Sequence, residues 1–203
     1  MKLALIGATG NVGSRLLKEA LDRGHAVTAI ARNTQSLAAH ARLTARALDF
    51  TARDRLLPAL AGHDAVIAAV KYHSADPVPI VEAVRKSGVK RLLVIGGAGS
   101  LRTASGLDVV ETPQFPAQWK PEALAARDFL IRLRKERELD WTFLSPSALL
   151  GPGVRTGKFR VGGDDLLVDA KGESRISLED LAVALIDELE KPRHSRQRFT
   201  VGY

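Results

Sequence analysis

The 203-residue chain has no cysteine, one methionine, two tryptophans and two tyrosines. Without cysteine there is no disulfide framework, no thiolate nucleophile and no thiolate-bound metal. The five histidines, His25, His40, His63, His73 and His194, show no metal-ligand spacing, so no metal is expected. No apolar run approaches the ~20 residues that cross a bilayer. Lys2 is followed by four apolar residues and then by glycine, which is not the pattern of a signal peptide. There is no G-x-S-x-G nucleophile elbow and no G-x-x-x-x-G-K-[S/T] phosphate loop. These absences predict a cytoplasmic globular protein with no membrane partner. The composition, 45% hydrophobic and 26% charged, is that of a chain able to bury a substantial core.

The net charge is +7. A basic balance suits nucleic acid or an anionic small ligand. Here Lys and Arg are dispersed. The densest run, Arg132-Leu-Arg-Lys-Glu-Arg-Glu138, carries its own acids and reads as a solvated helix face. With no recognition motif beside the charge, nucleic acid is not an expected partner.

What is present begins at once. Leu3 to Ile6 is an apolar run, Gly7, Gly10 and Gly13 follow at a spacing of three, and Ser14 to Asp22 has helical periodicity with Leu16, Leu17, Ala20 and Leu21 on one face. Strand, glycine loop and helix together form a dinucleotide-site pattern. Gly7 permits the tight turn, Gly10 lets the backbone approach a pyrophosphate, and Gly13 lets the helix pack on the strand. The helix N-terminus offers free N–H groups and a positive dipole end. Gly7, Ala8, Thr9, Gly10, Asn11, Val12 and Gly13 are therefore the expected cofactor loop, although the spacing departs from G-x-G-x-x-G.

Beyond the loop, strands are expected at 26–30, 43–48, 64–70, 90–95, 141–145 and 198–202. Helices are expected from Asn33 or Thr34 to His40, and at 51–61, from Pro77 or Pro79 to Ser87, at 117–138, and from the capping-box-like Ser177-Leu-Glu-Asp180 to Glu190. This alternation implies right-handed crossovers and a doubly wound parallel α/β sheet of about seven strands. Residues 158–161 and 166–168, joined by Gly162-Gly-Asp-Asp165, read as a hairpin. The chain is expected to be one domain, 1–203, with 151–175 as a small C-terminal lobe covering the site.

The end of the second strand discriminates between dinucleotides. An NAD site usually carries an acid there; this chain has no Asp or Glu between Asp22 and Asp49, and has Ala31-Arg32-Asn33 instead. A guanidinium at Arg32 can pair with a 2′-phosphate, so NADP(H) is favoured over NAD(H). The alternative is a plain surface arginine. Asp49 and Phe50 are placed beside the adenine, with a helix cap as the other reading of Asp49. Ala69 and Val70, ending the fourth strand, and Gly96, ending the fifth, complete the expected cofactor contacts.

Gly7-Ala-Thr-Gly-Asn-Val-Gly13 resembles the fingerprint of atypical and extended short-chain dehydrogenase/reductases. Leu93-Val-Ile-Gly-Gly-Ala-Gly-Ser-Leu101, Trp141-Thr-Phe-Leu-Ser-Pro146, Arg155-Thr-Gly-Lys158 and Arg175-Ile-Ser-Leu-Glu-Asp180 narrow the resemblance to the NADH-flavin reductase group, relatives of NmrA-like proteins and of biliverdin-IXβ/flavin reductase. It covers essentially the whole chain. It implies a Rossmann fold, NAD(P)H at Gly7 to Gly13, and a flavin as electron acceptor.

Ordinary members of that superfamily use Tyr-x-x-x-Lys, in which the lysine lowers the pKa of the proton-transferring tyrosine. That motif is absent: Asp76 stands four positions after Tyr72, and Tyr203 is the last residue of the sequence. Trp119-Lys120 falls near the tyrosine's usual place, and indole is no acid or base; Trp119 reads as a packed or lid-lining aromatic or as a stacking platform. No catalytic side chain is assigned. Lys71, Tyr72 and His73 read as ligand contacts or as a polar strand exit. Hydride transfer to a flavin or quinone-like ring fits, because the protein then has only to orient two rings and exclude water. The alternative is an NADP(H)-binding redox sensor without turnover; an epimerase or dehydratase would lack its tyrosine and its substrate lobe. The expected partner is a small-molecule electron acceptor, with a homodimer allowed.

Overall fold

Each short strand builds two cores at once, because its side chains alternate between faces. In β1 (Lys2–Ile6) Leu3 and Leu5 enter one core, while Ala4 and Ile6 enter the other. Strands β4 (Ala65–Ala68) and β5 (Arg91–Ile95) are buried at every residue, as strands covered on both faces must be. The computed structural model describes residues 1–203.

The main sheet has eight strands in the order β3-β2-β1-β4-β5-β6-β10-β8. Its other members are β2 (Ala26–Ala31), β3 (Leu43–Ala47), β6 (Asp140–Ser145), β8 (Arg160–Gly162) and β10 (Gln197–Gly202). All pair in parallel except β8, which runs antiparallel to β10. Helices α1 (Asn11–Asp22) and α5 (Leu178–Glu190) supply one core. Helices α2 (Arg53–Leu60), α3 (Val78–Lys86) and α4 (Lys120–Leu133) supply the other. Strands β7 (Leu149–Gly151) and β9 (Arg175–Ser177) form a separate parallel pair. Strand order reverses between β1 and β4, and the crevice beyond the carboxyl ends at such a point is where sheets of this kind bind ligands. No helix is long and apolar enough to cross a membrane.

The mostly parallel sheet expected with about seven strands is there, with β8 as an eighth at its edge. Three expectations are corrected. The hairpin over 158–168 does not form. Val161 pairs with Val201 of β10, and the following segment is captured by Arg102, whose N–H donates to the Asp164 carbonyl and whose carbonyl accepts from the Leu166 N–H. No helix joins β2 to β3. The stretch from Asn33 to Arg42 has Leu37 as its one large apolar side chain, too little for a helix to bury a face, and it folds as turns instead. The helix expected over 117–138 begins as a short 3-10 turn at Ala117–Trp119 and stops at Leu133. There the Glu136 carboxylate accepts from the backbone N–H groups of Glu138 and Leu139 and turns the chain into β6.

Candidate functional site

The glycine loop joins β1 to α1. Gly7 has φ +83°, and a Cβ there would lie 2.1 Å from the carbonyl oxygen of Ala69. A Cβ on Gly13 would lie 2.0 Å from the carbonyl oxygen of Gly7. Both positions are closed by the protein's own backbone. Gly10 is different: it is the N-cap of α1 at φ −74°, and a Cβ would meet only the Gly7 oxygen, at 3.3 Å. Ala8 is buried, while Thr9, Gly10 and Asn11 are exposed at the tip. The N–H of Gly10 donates to the Gly7 carbonyl and that of Ser14 to the Gly10 carbonyl, but those of Thr9, Asn11, Val12 and Gly13 have no acceptor in the protein. No acid lies in the first turn of α1. Free donors, a positive helix end and one glycine whose missing side chain the protein itself does not require fit a dinucleotide diphosphate.

Arg32 follows β2 directly and is exposed. The Asp49 carboxylate lies near it and accepts from both the N–H and the hydroxyl of Thr51, at 2.9 and 2.8 Å. These bonds hold Asp49 below the usual carboxylate range. It is thus a turn-forming residue before α2, whose N-cap is Ala52. Phe50 and Val70 pack partly buried against the second core, and Ala69 closes on Gly7. Gly96 has a packing cause of its own, since a Cβ there would overlap the Phe143 ring at 1.9 Å.

Beside Gly96 opens a cavity of about 1010 Å³. Gly96 to Gly99, Phe115, Trp119 and Leu149 to Val154 are among the residues that line it. Gly96 is the one expected cofactor residue that lines it; the glycine loop, Arg32, Asp49 and Phe50 belong to the adjoining carboxyl ends of β1 to β3. Trp119 is 60% exposed and lines the cavity, so it is not a packed core aromatic, and the lid-lining and stacking-platform readings both remain.

Both tyrosines line the cavity, and both hydroxyls are hydrogen-bonded within the protein. The Tyr72 hydroxyl donates to the Ile95 carbonyl, its ring sits against Phe129, and burial pushes its pKa far up. The backbone N–H groups of Tyr72 and His73, and the His73 ring, all bind the Glu122 carboxylate. Burial raises the pKa of Glu122, but these bonds outweigh it and the net shift is downward. The Tyr203 hydroxyl donates to Asp180 and lies 2.8 Å from the Ser177 oxygen. The capping box did reveal Ser177 and Asp180: the Ser177 oxygen accepts from the Asp180 N–H. It gave no hint that Asp180 also binds Thr156, Gly157 and Tyr203.

Glu19, Glu179, Asp180 and Glu188 are all held below their usual 4.5 or 3.8, Glu19 chiefly by Arg155, the others by hydrogen bonds that exceed the cost of burial. A carboxylate whose folded pKa is depressed stabilises fully above its unfolded value and loses that contribution as pH falls through the folded one. Thermal unfolding should therefore show a Tm that is flat down to about pH 5 and drops steeply below about pH 4. A Tm unchanged through that acid range would contradict these assignments.

The NAD(P)H-binding family matches residues 7–192 of this chain. The uncharacterized protein YwnB of Bacillus subtilis strain 168 is 39% identical over 213 aligned positions, covering 99% of this chain and 98% of that one. Among solved structures, a "putative epimerase" from Bacteroides thetaiotaomicron is 44% identical with a TM-score of 0.96, covering 100% of this chain and 96% of that one. A "putative NADH-flavin reductase" from Streptococcus pneumoniae TIGR4 is 36% identical with a TM-score of 0.86, covering 100% and 99%.

Proposed function

The chain belongs to the NAD(P)H-binding family, and from that premise we propose an NADPH-dependent reductase of the atypical short-chain dehydrogenase/reductase kind that passes hydride to a flavin or quinone-like acceptor. The observation that carries this reading is the cavity beside Gly96. It is large enough for a fused-ring acceptor and is bordered by exposed Trp119 and by Phe115; of the two tyrosines on its lining, Tyr72 is buried with its hydroxyl on the Ile95 carbonyl and the Tyr203 hydroxyl is held by Asp180 and Ser177. NADPH supplies the hydride. The chain's own residues bind and orient. The α1 N-terminus and the loop from Gly7 to Gly13 hold the diphosphate, and Arg32 pairs with the 2′-phosphate. Ala69, Val70 and Gly96 bound the space for the nicotinamide. Trp119 offers an aromatic face to the acceptor, and Arg175, 5.6 Å from the Tyr203 ring centroid, offers a cation at the cavity wall. Residues 151–175 cover this site in part: Gly151 to Val154, Thr156 and Arg175 line the cavity. Water delivers the proton to the reduced acceptor, so no side chain need do so.

The purified protein should oxidise NADPH faster when FMN, FAD or riboflavin is added. Binding of NADPH and NADP⁺ without acceleration by any flavin or quinone would replace this reading with that of a redox sensor.

A further inference from the structure

Two sequence motifs, Arg155-Thr-Gly-Lys158 and Arg175-Ile-Ser-Leu-Glu-Asp180, meet in the structure. Residues 152–158, of which Pro152, Gly153, Val154 and Thr156 line the cavity and Arg155 reaches the cofactor helix, make no backbone–backbone hydrogen bond at all. Side chains hold them instead: the Ser177 hydroxyl, which donates to the Val154 carbonyl at 3.0 Å, and three carboxylates. Glu179 accepts from the Gly153 N–H at 2.8 Å. Asp180 accepts from the N–H groups of Thr156 and Gly157, both at 2.8 Å. Glu19, two turns into α1, accepts a bidentate pair from Arg155, with both N···O distances 2.8 Å.

The third of these is out of the ordinary. Glu19 is 5% exposed and already has a partner, Arg23, at 2.8 Å. Arg23 is shared with Asp187 and Glu190, and the larger part of what holds Glu19 ionised comes from Arg155, on a loop whose neighbours are all exposed. The bidentate fork fixes direction as well as distance. A parallel link lies one turn nearer the glycine loop. Arg15 donates to Glu179 at 3.2 Å and also reaches the Asn11 carbonyl and the Ser14 hydroxyl at the start of α1. The segment is thus seated on the start of α5, through Ser177, Glu179 and Asp180, and is tied to the cofactor helix by Arg155 on Glu19, with Arg15 on Glu179 as a second link between the two helices.

We infer that Arg155 is a positioning residue that, through Glu19, sets the acceptor-side wall by the position of the cofactor helix, so that the dinucleotide orders residues 152–158 before the acceptor enters. This rests on the reductase reading for its acceptor, but not for its coupling. The coupling predicts ordered binding, dinucleotide first.

Amide hydrogen exchange of 152–158, with and without saturating NADPH, tests it in the wild type, Arg155→Ala and Arg155→Lys. In the wild type NADPH should slow exchange of the segment; in Arg155→Ala exchange should be about tenfold faster and NADPH should no longer slow it. Arg155→Lys, with one ammonium against one oxygen, should fall between. With FMN as acceptor, Arg155→Ala should raise KM about tenfold while kcat and the NADPH Kd stay within about twofold. Equal protection by NADPH in wild type and Arg155→Ala would overturn the inference. So would a general loss of Tm and NADPH affinity with the segment's exchange unchanged, the mark of a plain staple. If the wild type reduces no flavin, the reductase reading fails, and the exchange experiment still decides the coupling.

Discussion

Gly10→Ala should leave the protein folded and remove most of its NADPH affinity, whereas Gly13→Ala should unfold it. The two glycines sit in one turn, yet different neighbours exclude a side chain at each. At Gly13 the added carbon would lie 2.0 Å from the Gly7 oxygen and 2.8 Å from the Gly7 carbonyl carbon, all backbone. Relief requires α1 to move off β1, and since Leu16, Leu17 and Ala20 of α1 are packed in the core, the cost is on the order of 3–5 kcal/mol. At Gly10 the backbone already has dihedrals that alanine accepts, and the one close atom is 3.3 Å away. Exchanging a glycine N-cap for alanine costs about 1 kcal/mol. The diphosphate, however, must approach this backbone, and an affinity loss of about 30-fold or more is expected, roughly 2 kcal/mol. Thermal melts and NADPH fluorescence titration of both variants separate the two effects. A Gly10→Ala protein that binds normally would remove the loop from the cofactor site.

Arg32→Ala should weaken NADPH on the order of 10–50-fold and NADH less than about twofold, the worth of one charge-assisted pair to phosphate. The side chain is exposed and bonded to nothing in the protein, so its removal should leave Tm unchanged. Asp49 is an acidic neighbour, and the Thr51 bonds engage that carboxylate at the start of α2. Parallel titrations with the two dinucleotides check this. Equal losses for both would refute the 2′-phosphate role.

The sheet was legible because its strands carry apolar runs bounded by glycine or charge. The core of β1 and the Ser177 cap could be read from local pattern alone. What escaped was non-local. Val161 lies in a run that looks like half a hairpin, and only the free edge of β10 decides its partner. The segment after Asn33 has good cap chemistry but no apolar stripe, and the absent stripe outweighs the cap. In the site, the glycine loop and Arg32 were visible as sequence. The wall was not: Glu19 and Arg155 are 136 positions apart, and neither carries a local signal for the other. Gly96, chosen for its strand end, also has the Phe143 ring as a packing reason that spacing could not show.

The central claim is that the bound dinucleotide reduces an acceptor in the cavity beside Gly96. The most direct measurement is anaerobic mixing of the protein with stoichiometric NADPH and FMN, following loss of the oxidised flavin absorbance. The account predicts bleaching far faster than in the same mixture without protein, and much slower with NADH in place of NADPH. Tight NADPH binding with the flavin, and then a quinone, remaining oxidised would contradict it.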